Sequence, residues 1–362
     1  MTAAIASSAA PSAATTPVGA RSPDRLVAAW IFTLAGMVAL MVIVGGATRL
    51  TDSGLSITEW APILGALPPM SEEAWALAFE RYKAIPEYEL VNWGMSLEAF
   101  KAIYWWEWGH RQLGRAIGLA VLLPLIFFAA RGHLTRALGV RLAAVFVLVV
   151  LQGALGWWMV SSGLVERIDV SQYRLAAHLG LALVLFGYLV WLGLDLVGVR
   201  RQVRHRLAPF AMALVAGVYL QMILGAFVAG LRAGRTFNTW PLMDGELIPS
   251  SYFSGAPRFG DLFETMAATQ FNHRLGAYAV IVAVAAFFLA ARRTSLERPA
   301  AAMLGIALAQ AALGIVTVLN ATPVGLGLAH QAGALALFAA TIVAAYGCVG
   351  EISTAKGSSS SG

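Results

Sequence analysis

The sequence predicts an all-α integral membrane protein in which eight transmembrane helices form two pseudo-symmetric, parallel four-helix bundles. Three observations carry that prediction. Of the 362 residues, 59% are hydrophobic and 12% charged, against roughly 25% charged in an average soluble domain. Apolar windows of about 20 residues recur along the whole chain, each long enough to cross a hydrocarbon layer of about 30 Å. Short motifs of the first four windows return in the last four, which marks a duplicated unit.

Residues 1–25 are rich in Ala, Ser, Thr and Pro and hold no apolar stretch long enough for a cleaved signal, so they read as a flexible cytoplasmic tail. Spans follow at 27–48, 102–129, 140–161, 173–196, 207–230, 264–291, 299–320 and 325–347. The first connection, 49–101, is long and acidic, with Asp52, Glu59, Glu72, Glu73, Glu80, Glu87, Glu89 and Glu98. Within it Ser71 offers a helix start, and Trp75, Phe79 and Tyr82 recur at i, i+4, i+7. Such an aromatic stripe packs either on the protein or on the membrane surface. The fifth connection, 231–263, is the other long loop. The halves are expected at 26–197 and 207–349, joined by a linker at 198–206, with a tail at 350–362 whose last residues are all Gly and Ser.

Arginines set the orientation. Arg131, Arg136 and Arg141 lie in the second connection, Arg200, Arg201, Arg204 and Arg206 in the fourth, and Arg292, Arg293 and Arg298 in the sixth. Basic residues favour the cytoplasmic side, so these connections and both termini are placed there. Cytoplasmic segments then hold 13 Lys/Arg against 4 Asp/Glu, and external segments with the helix starts hold 12 against 15. The net charge of +6 is therefore a topology signal and implies no nucleic-acid partner; the lipid bilayer is the partner it implies. A bacterial cytoplasmic membrane is the expected location, in preference to a mitochondrial inner membrane. The single cysteine, Cys348, excludes an intramolecular disulfide, a thiolate zinc cage and a cysteine-held iron–sulfur cluster.

The second span opens with Glu107-Trp-Gly-His110-Arg111 and the sixth with Gln270-Phe-Asn-His273-Arg274; the fourth carries His178 and the eighth His330. The third, fifth and seventh share Gln-x-x-Leu-Gly at Gln152–Gly156, Gln221–Gly225 and Gln310–Gly314. Because each half contains an even number of spans, both enter the membrane from the same side and the repeat is parallel, unlike the inverted repeats of many transporters.

His133 and His205 lie in arginine-rich connections and read as solvated. His110, His178, His273 and His330 each fall in the first turns of an even-numbered span, so all four lie at similar depth in the external leaflet. One intramembrane histidine is as readily a hydrogen-bonded interior side chain; four at matching places, two per half, are best explained by two haem sites with imidazole as axial ligand. Nearby glycines (Gly114, Gly180, Gly276, Gly333) would either admit a flat macrocycle or serve helix packing. Arg111, Arg115 and Arg274 near the external interface, and Arg49, Arg232 and Arg235 after the first and fifth spans, are candidates for binding haem propionates, with snorkelling to headgroups as the alternative.

The halves differ at one telling place. Glu107 stands three residues before His110, where the second half has Gln270 before His273. A separation of three puts both side chains on one helix face. The first half thus holds an acid/base group beside its histidine and the second only an amide; the alternative is that Glu107 pairs with Arg111 at i, i+4.

The combination of Gly45-Gly-Ala-Thr-Arg-Leu-Thr-Asp-Ser-Gly-Leu-Ser56, Glu107-x-x-His110-Arg, His178, His273-Arg and His330 on eight duplicated spans resembles the haem A synthase family, over about residues 26–347. The acidic first loop, with Pro68-Pro69 and the stretch from Phe79 to Tyr88, looks like the branch shared by mitochondria and proteobacteria. The resemblance implies a membrane oxidoreductase that oxidises the C8 methyl of haem O to a formyl group, giving haem A for cytochrome oxidase. It implies substrate-haem ligands at His110 and His178, an essential glutamate at Glu107, and haem b ligands at His273 and His330. Haem O synthase, cytochrome oxidase assembly proteins and an unidentified electron donor are the partners it suggests. Some members carry a cysteine pair in the first loop; this chain has none there. The rival readings are a dihaem electron-transfer cytochrome, which needs haems in opposite leaflets, and a haem-delivery protein.

Overall fold

A computed structural model describes residues 22–132, 134–198, 205–253 and 261–349. The first 21 residues, His133, Arg200, Arg201, Arg204 and the tail from 350 onward lie outside the described residues. Eight long apolar helices are present among them: α1 (Ser22–Leu50), α4 (Leu97–Ala130), α5 (Arg136–Val160), α6 (Gln172–Leu196), α7 (Ala208–Gly230), α9 (Met266–Ala291), α10 (Glu297–Leu319) and α11 (Val324–Cys348). Three short helices, α2 (Glu72–Lys83), α3 (Pro86–Leu90) and α8 (Asp261–Glu264), lie in the long connections. The protein is all-α and multi-pass, as composition predicts.

Side-chain caps fix several starts, each accepting from a backbone N–H that the helix leaves free. Ser71 caps α2 through Ala74 N, Ser96 caps α4 through Ala99 N, Thr135 caps α5 through Leu138 N, and Thr265 caps α9 through Ala268 N. The Ser96 cap places the start of α4 five residues before the predicted 102. His110 is consequently not in the first turns of its helix, because α4 continues out of the apolar layer.

That overhang has a core of its own. Trp75, Phe79 and Tyr82 are buried against Tyr88, Phe100 and Tyr104, with ring centres 4.9 Å apart for Trp75 and Tyr104 and 5.0 Å for Phe79 and Phe100. The aromatic stripe of α2 therefore packs on the protein, not on lipid.

Among the spans, contacts run from α1 to α4, α5, α6 and back to α1, and from α7 to α9, α10, α11 and back to α7. Across these two circuits α6 meets α7 and α11, and α1 meets α11. Their apolar windows are accordingly the most enclosed: half of that of α6 is buried, against 11% for α4 and for α5. Ile31, Leu34, Leu183, Leu189, Leu214 and Phe338 belong to the shared core. Lipid is the solvent for the outer helices, so their outward apolar side chains need no protein cover.

Candidate functional site: four histidines on four even-numbered spans

Each of the four histidines faces a glycine on the preceding span. A Cβ built on Gly45 would lie 3.2 Å from His110 Nε2; on Gly156, Gly225 and Gly314 it would lie 3.0, 3.2 and 2.7 Å from Cε1 of His178, His273 and His330. A side chain at any of these positions would press on the imidazole. These glycines, at the ends of Gln-x-x-Leu-Gly in three cases, are the ones that make room for the histidines.

The glycines nearest the histidines in sequence do something else. A Cβ on Gly276 or Gly333 would run into Gln221 Oε1 or Gln310 Oε1, and one on Gly180 would meet Tyr219 and Ile223; Gly114 faces the Met41 methyl at 3.3 Å. Of the two roles open for them, helix packing is the one the geometry supports. Gly180, two residues after His178, points about 200° around the helix from it.

The glutamines of the shared motif are histidine partners, a role the sequence reading missed. Gln152, Gln221 and Gln310 donate through Nε2 to the carbonyl oxygens of His178, His273 and His330 at 2.9, 2.8 and 2.7 Å. The same amide nitrogens lie 3.2, 3.0 and 3.0 Å from the three Nδ1 atoms. His110 is the exception, because the position matching Gln is Met41 on α1. All three Gln Oε1 atoms are buried without a hydrogen-bond partner, leaving an unspent acceptor beside each imidazole. The signal for this was periodicity: Gln and Gly four apart lie on one helix face.

The imidazoles of His273 and His330 stand with ring centres 6.4 Å apart and planes at 82°. That separation would leave room between the two rings for a metal ion held by both, at metal–nitrogen distances of about 2 Å. Among the described residues no group of three or more His, Cys, Asp or Glu could hold a metal ion. Two imidazoles are the protein's share when a porphyrin supplies the remaining donors, and His273 and His330 stand as such a pair. His273 and His330 therefore fit haem.

Glu107 is buried and fully engaged. Its Oε1 accepts from Arg111 Nε at 3.1 Å and Nη2 at 2.6 Å, and its Oε2 accepts from Ser56 Oγ at 2.8 Å and Ile57 N at 2.7 Å. Gln270 is used with the opposite polarity: its Nε2 donates to the carbonyls of Ala233 and Phe237, at 3.2 and 2.9 Å, while its Oε1 accepts from Arg274. Both residues clip the loop after the preceding odd-numbered span to the even-numbered one. The first loop offers donors and the second offers acceptors.

The six candidate arginines separate into two clusters and Arg274, which stands apart. Arg111 reaches the carbonyls of Ile57 and Glu59, and Arg115 those of Ala61 and Pro62, so each of their nitrogens already has a protein partner. Arg49, Arg232 and Arg235 gather around Asp52 and Asp169. Buried donors without a partner remain at Arg49 Nε, Arg232 Nε and Arg274 Nη1; Arg274 directly follows His273, where an anionic group on a bound haem would find it.

A family model described as cytochrome oxidase assembly protein, COX15-CtaA, matches residues 28–342. A protein named Heme A synthase from Parvibaculum lavamentivorans is 53% identical over 318 residues, covering 87% of this chain and 92% of its own. Proteins of the same name from Maricaulis maris and Caulobacter vibrioides are 48% and 51% identical over 334 and 324 residues, covering 91% and 87% of this chain and 98% and 94% of theirs. With the match spanning all eight helices and every histidine pair, the chain belongs to the haem A synthase family, within the COX15-CtaA group of cytochrome oxidase assembly proteins.

Proposed function

We propose that this protein makes haem A from haem O by oxidising the C8 methyl to a formyl group, for use in cytochrome oxidase. In this reading residues 26–197 and 207–349 are duplicated bundles; the first takes haem O at His110 and His178, and the second holds haem b at His273 and His330. The observation that carries it is the asymmetry of otherwise matching sites: Glu107 and Met41 in the first half stand where the second has Gln270 and Gln221. When bound, haem b supplies one-electron transfer.

Gln221 and Gln310 hold the haem b histidines from the Nδ1 side. Each amide nitrogen bridges its histidine's carbonyl oxygen and Nδ1, which fixes the orientation of the ring. His110 has no such partner, which suits a site that must release its product. Glu107 serves as the proton acceptor or stabiliser of positive charge beside the reacting carbon, and must exchange either Ser56 or Arg111 for substrate to do so. Arg274 receives a propionate in the second half, with Arg49 and Arg232 available between the halves. The membrane is a bacterial cytoplasmic membrane, with both termini inside and the histidines toward the external leaflet.

An electron-transfer cytochrome would need no acid/base group beside its haem and would need haems on opposite sides. Expression in a host that makes haem O but no haem A tests the proposal: haem A should appear in extracted pigment, with haem b retained by the purified protein. Haem b alone, with haem O unchanged, would leave the electron-transfer reading standing.

A further inference from the structure

Helix α4 is longer than a membrane is thick. Its 34 residues extend about 51 Å at 1.5 Å per residue, whereas a hydrocarbon layer of about 30 Å takes about 20. Counted back from Ala130, which is followed by Arg131, the helix leaves the apolar layer near His110. Gln112 and Arg115 then lie about 3 and 7 Å inside it.

Both are tied to the first external loop. Gln112 Nε2 donates to Ala66 O at 3.0 Å, Arg115 Nε to Pro62 O at 2.9 Å, and Arg115 Nη2 to Ala61 O at 3.0 Å. Residues 61–66 are thereby held at that depth. Irregular backbone within a bilayer needs its polar groups satisfied by protein, and an intramembrane arginine needs acceptors; here each supplies the other. Gly65 allows the approach, since a Cβ there would lie 3.1 Å from Arg115 Nη2.

The outer side of this segment is apolar and uncovered. Ile63, Leu64, Leu67 and Met70 are 82%, 88%, 74% and 80% exposed, and no charged residue occurs from Trp60 to Met70. One and two turns after Arg115 on α4, Leu119 and Leu123 are also exposed.

We propose that residues 60–70 form a re-entrant hook inserted in the outer leaflet, its apolar side chains contacting phospholipid acyl chains and its backbone anchored by Gln112 and Arg115. The inference needs only the membrane-spanning fold and is independent of the reaction. It assigns Arg115 to the hook in place of a propionate.

The test uses single cysteines in a Cys348→Ala background, in proteoliposomes of phosphatidylcholine and phosphatidylglycerol. Ile63→Cys and Leu64→Cys should react with a membrane-impermeant maleimide at least tenfold more slowly than Leu90→Cys, an exposed site on α3. Fluorophores attached at 63 and 64 should be quenched by acyl-chain nitroxide lipids, not by iodide. Adding Arg115→Ala should raise the reaction rate at both. Equal maleimide rates at all three sites would overturn the proposal, as would shielding of 63 and 64 from both quenchers, which would mean a protein covers them.

Discussion

Asp52 and Arg232 form a salt bridge, Oδ1 to Nη2 at 3.1 Å, from matching positions of the two halves. Each lies 180 residues from its counterpart in the repeat, as Gly45 does from Gly225. Each adopts a left-handed φ of 53° in the turn that ends its helix, α1 or α7. The turns after α1 and α7 are thus joined at positions that correspond in the sequence repeat. Arg49 reinforces the joint through Asp169 and the carbonyl of Gly230, and Arg235 through Asp52 and the carbonyl of Leu50.

Removing Asp52 leaves three guanidiniums around one carboxylate. Asp52→Ala should lower stability by about 1 kcal/mol, the scale of a partly exposed ion pair, with the loss shrinking in high salt. Thermal unfolding in detergent at low and high ionic strength measures it. The double variant Asp52→Arg/Arg232→Asp should not recover the loss, because an aspartate at 232 would face Asp169 and an arginine at 52 would face Arg49 and Arg235.

The motif glutamines should act on haem retention without touching the reacting carbon. Gln221→Leu and Gln310→Leu are expected to weaken haem b binding by roughly 10–100-fold, as loss of a ligand-orienting partner does, and to shift its midpoint potential. Gln310→Glu should weaken it as well, because a carboxylate oxygen in place of Nε2 would face the His330 carbonyl oxygen with no proton to donate. Haem transfer to apomyoglobin and a spectroelectrochemical titration read both effects.

Glycine substitutions separate crowding of the imidazole from general helix effects. Gly314→Ala places a methyl 2.7 Å from His330 Cε1, whereas Gly305 on the same helix has nothing within 4 Å of an added Cβ. Gly314→Ala should purify with little haem b; Gly305→Ala should keep it, gaining slightly in helix propensity. The absorbance ratio of haem to protein decides between them.

The external aromatic core should respond to pH. Burial pushes the Glu87 carboxyl up from near 4.5 to about 7, with the carboxylates of Asp169, Asp52 and Glu107 adding to the rise; the Tyr82 hydroxyl donates to it at 3.2 Å. A raised carboxyl pKa favours the folded state while the group is protonated, so its contribution is full below about 4.5 and is lost as pH rises through about 7. The loss reaches at most about 3 kcal/mol. Hydrogen-exchange protection of residues 72–104, taken relative to the intrinsic base-catalysed rate, should therefore fall between pH 5 and 8, and Glu87→Gln should flatten that dependence.

Much of this arrangement is legible in the residues. The spans follow from apolar length, and the four histidines and the Glu107/Gln270 difference from the repeat. The extra turns of α4 escape a hydropathy reading because a helix outside the bilayer is free to be polar, and its stability comes from Phe100 and Tyr104 meeting α2. The glutamine–histidine contacts escape because they join different helices; the motif shows that Gln and Gly share a face, not what that face meets. Proximity in sequence misdirects at Gly180, which turns to α7 while Gly156, far away in the chain, meets His178. Arg115 reads as an anion ligand until the carbonyls of Ala61 and Pro62 are placed against it.

Pigment extracted from Glu107→Ala, expressed beside the wild type in a host supplying haem O, tests the division of labour most directly. The variant should retain haem b and bind haem O while yielding haem O or its alcohol in place of haem A. A wild-type yield of haem A from that variant would contradict the assignment of the chemistry to Glu107.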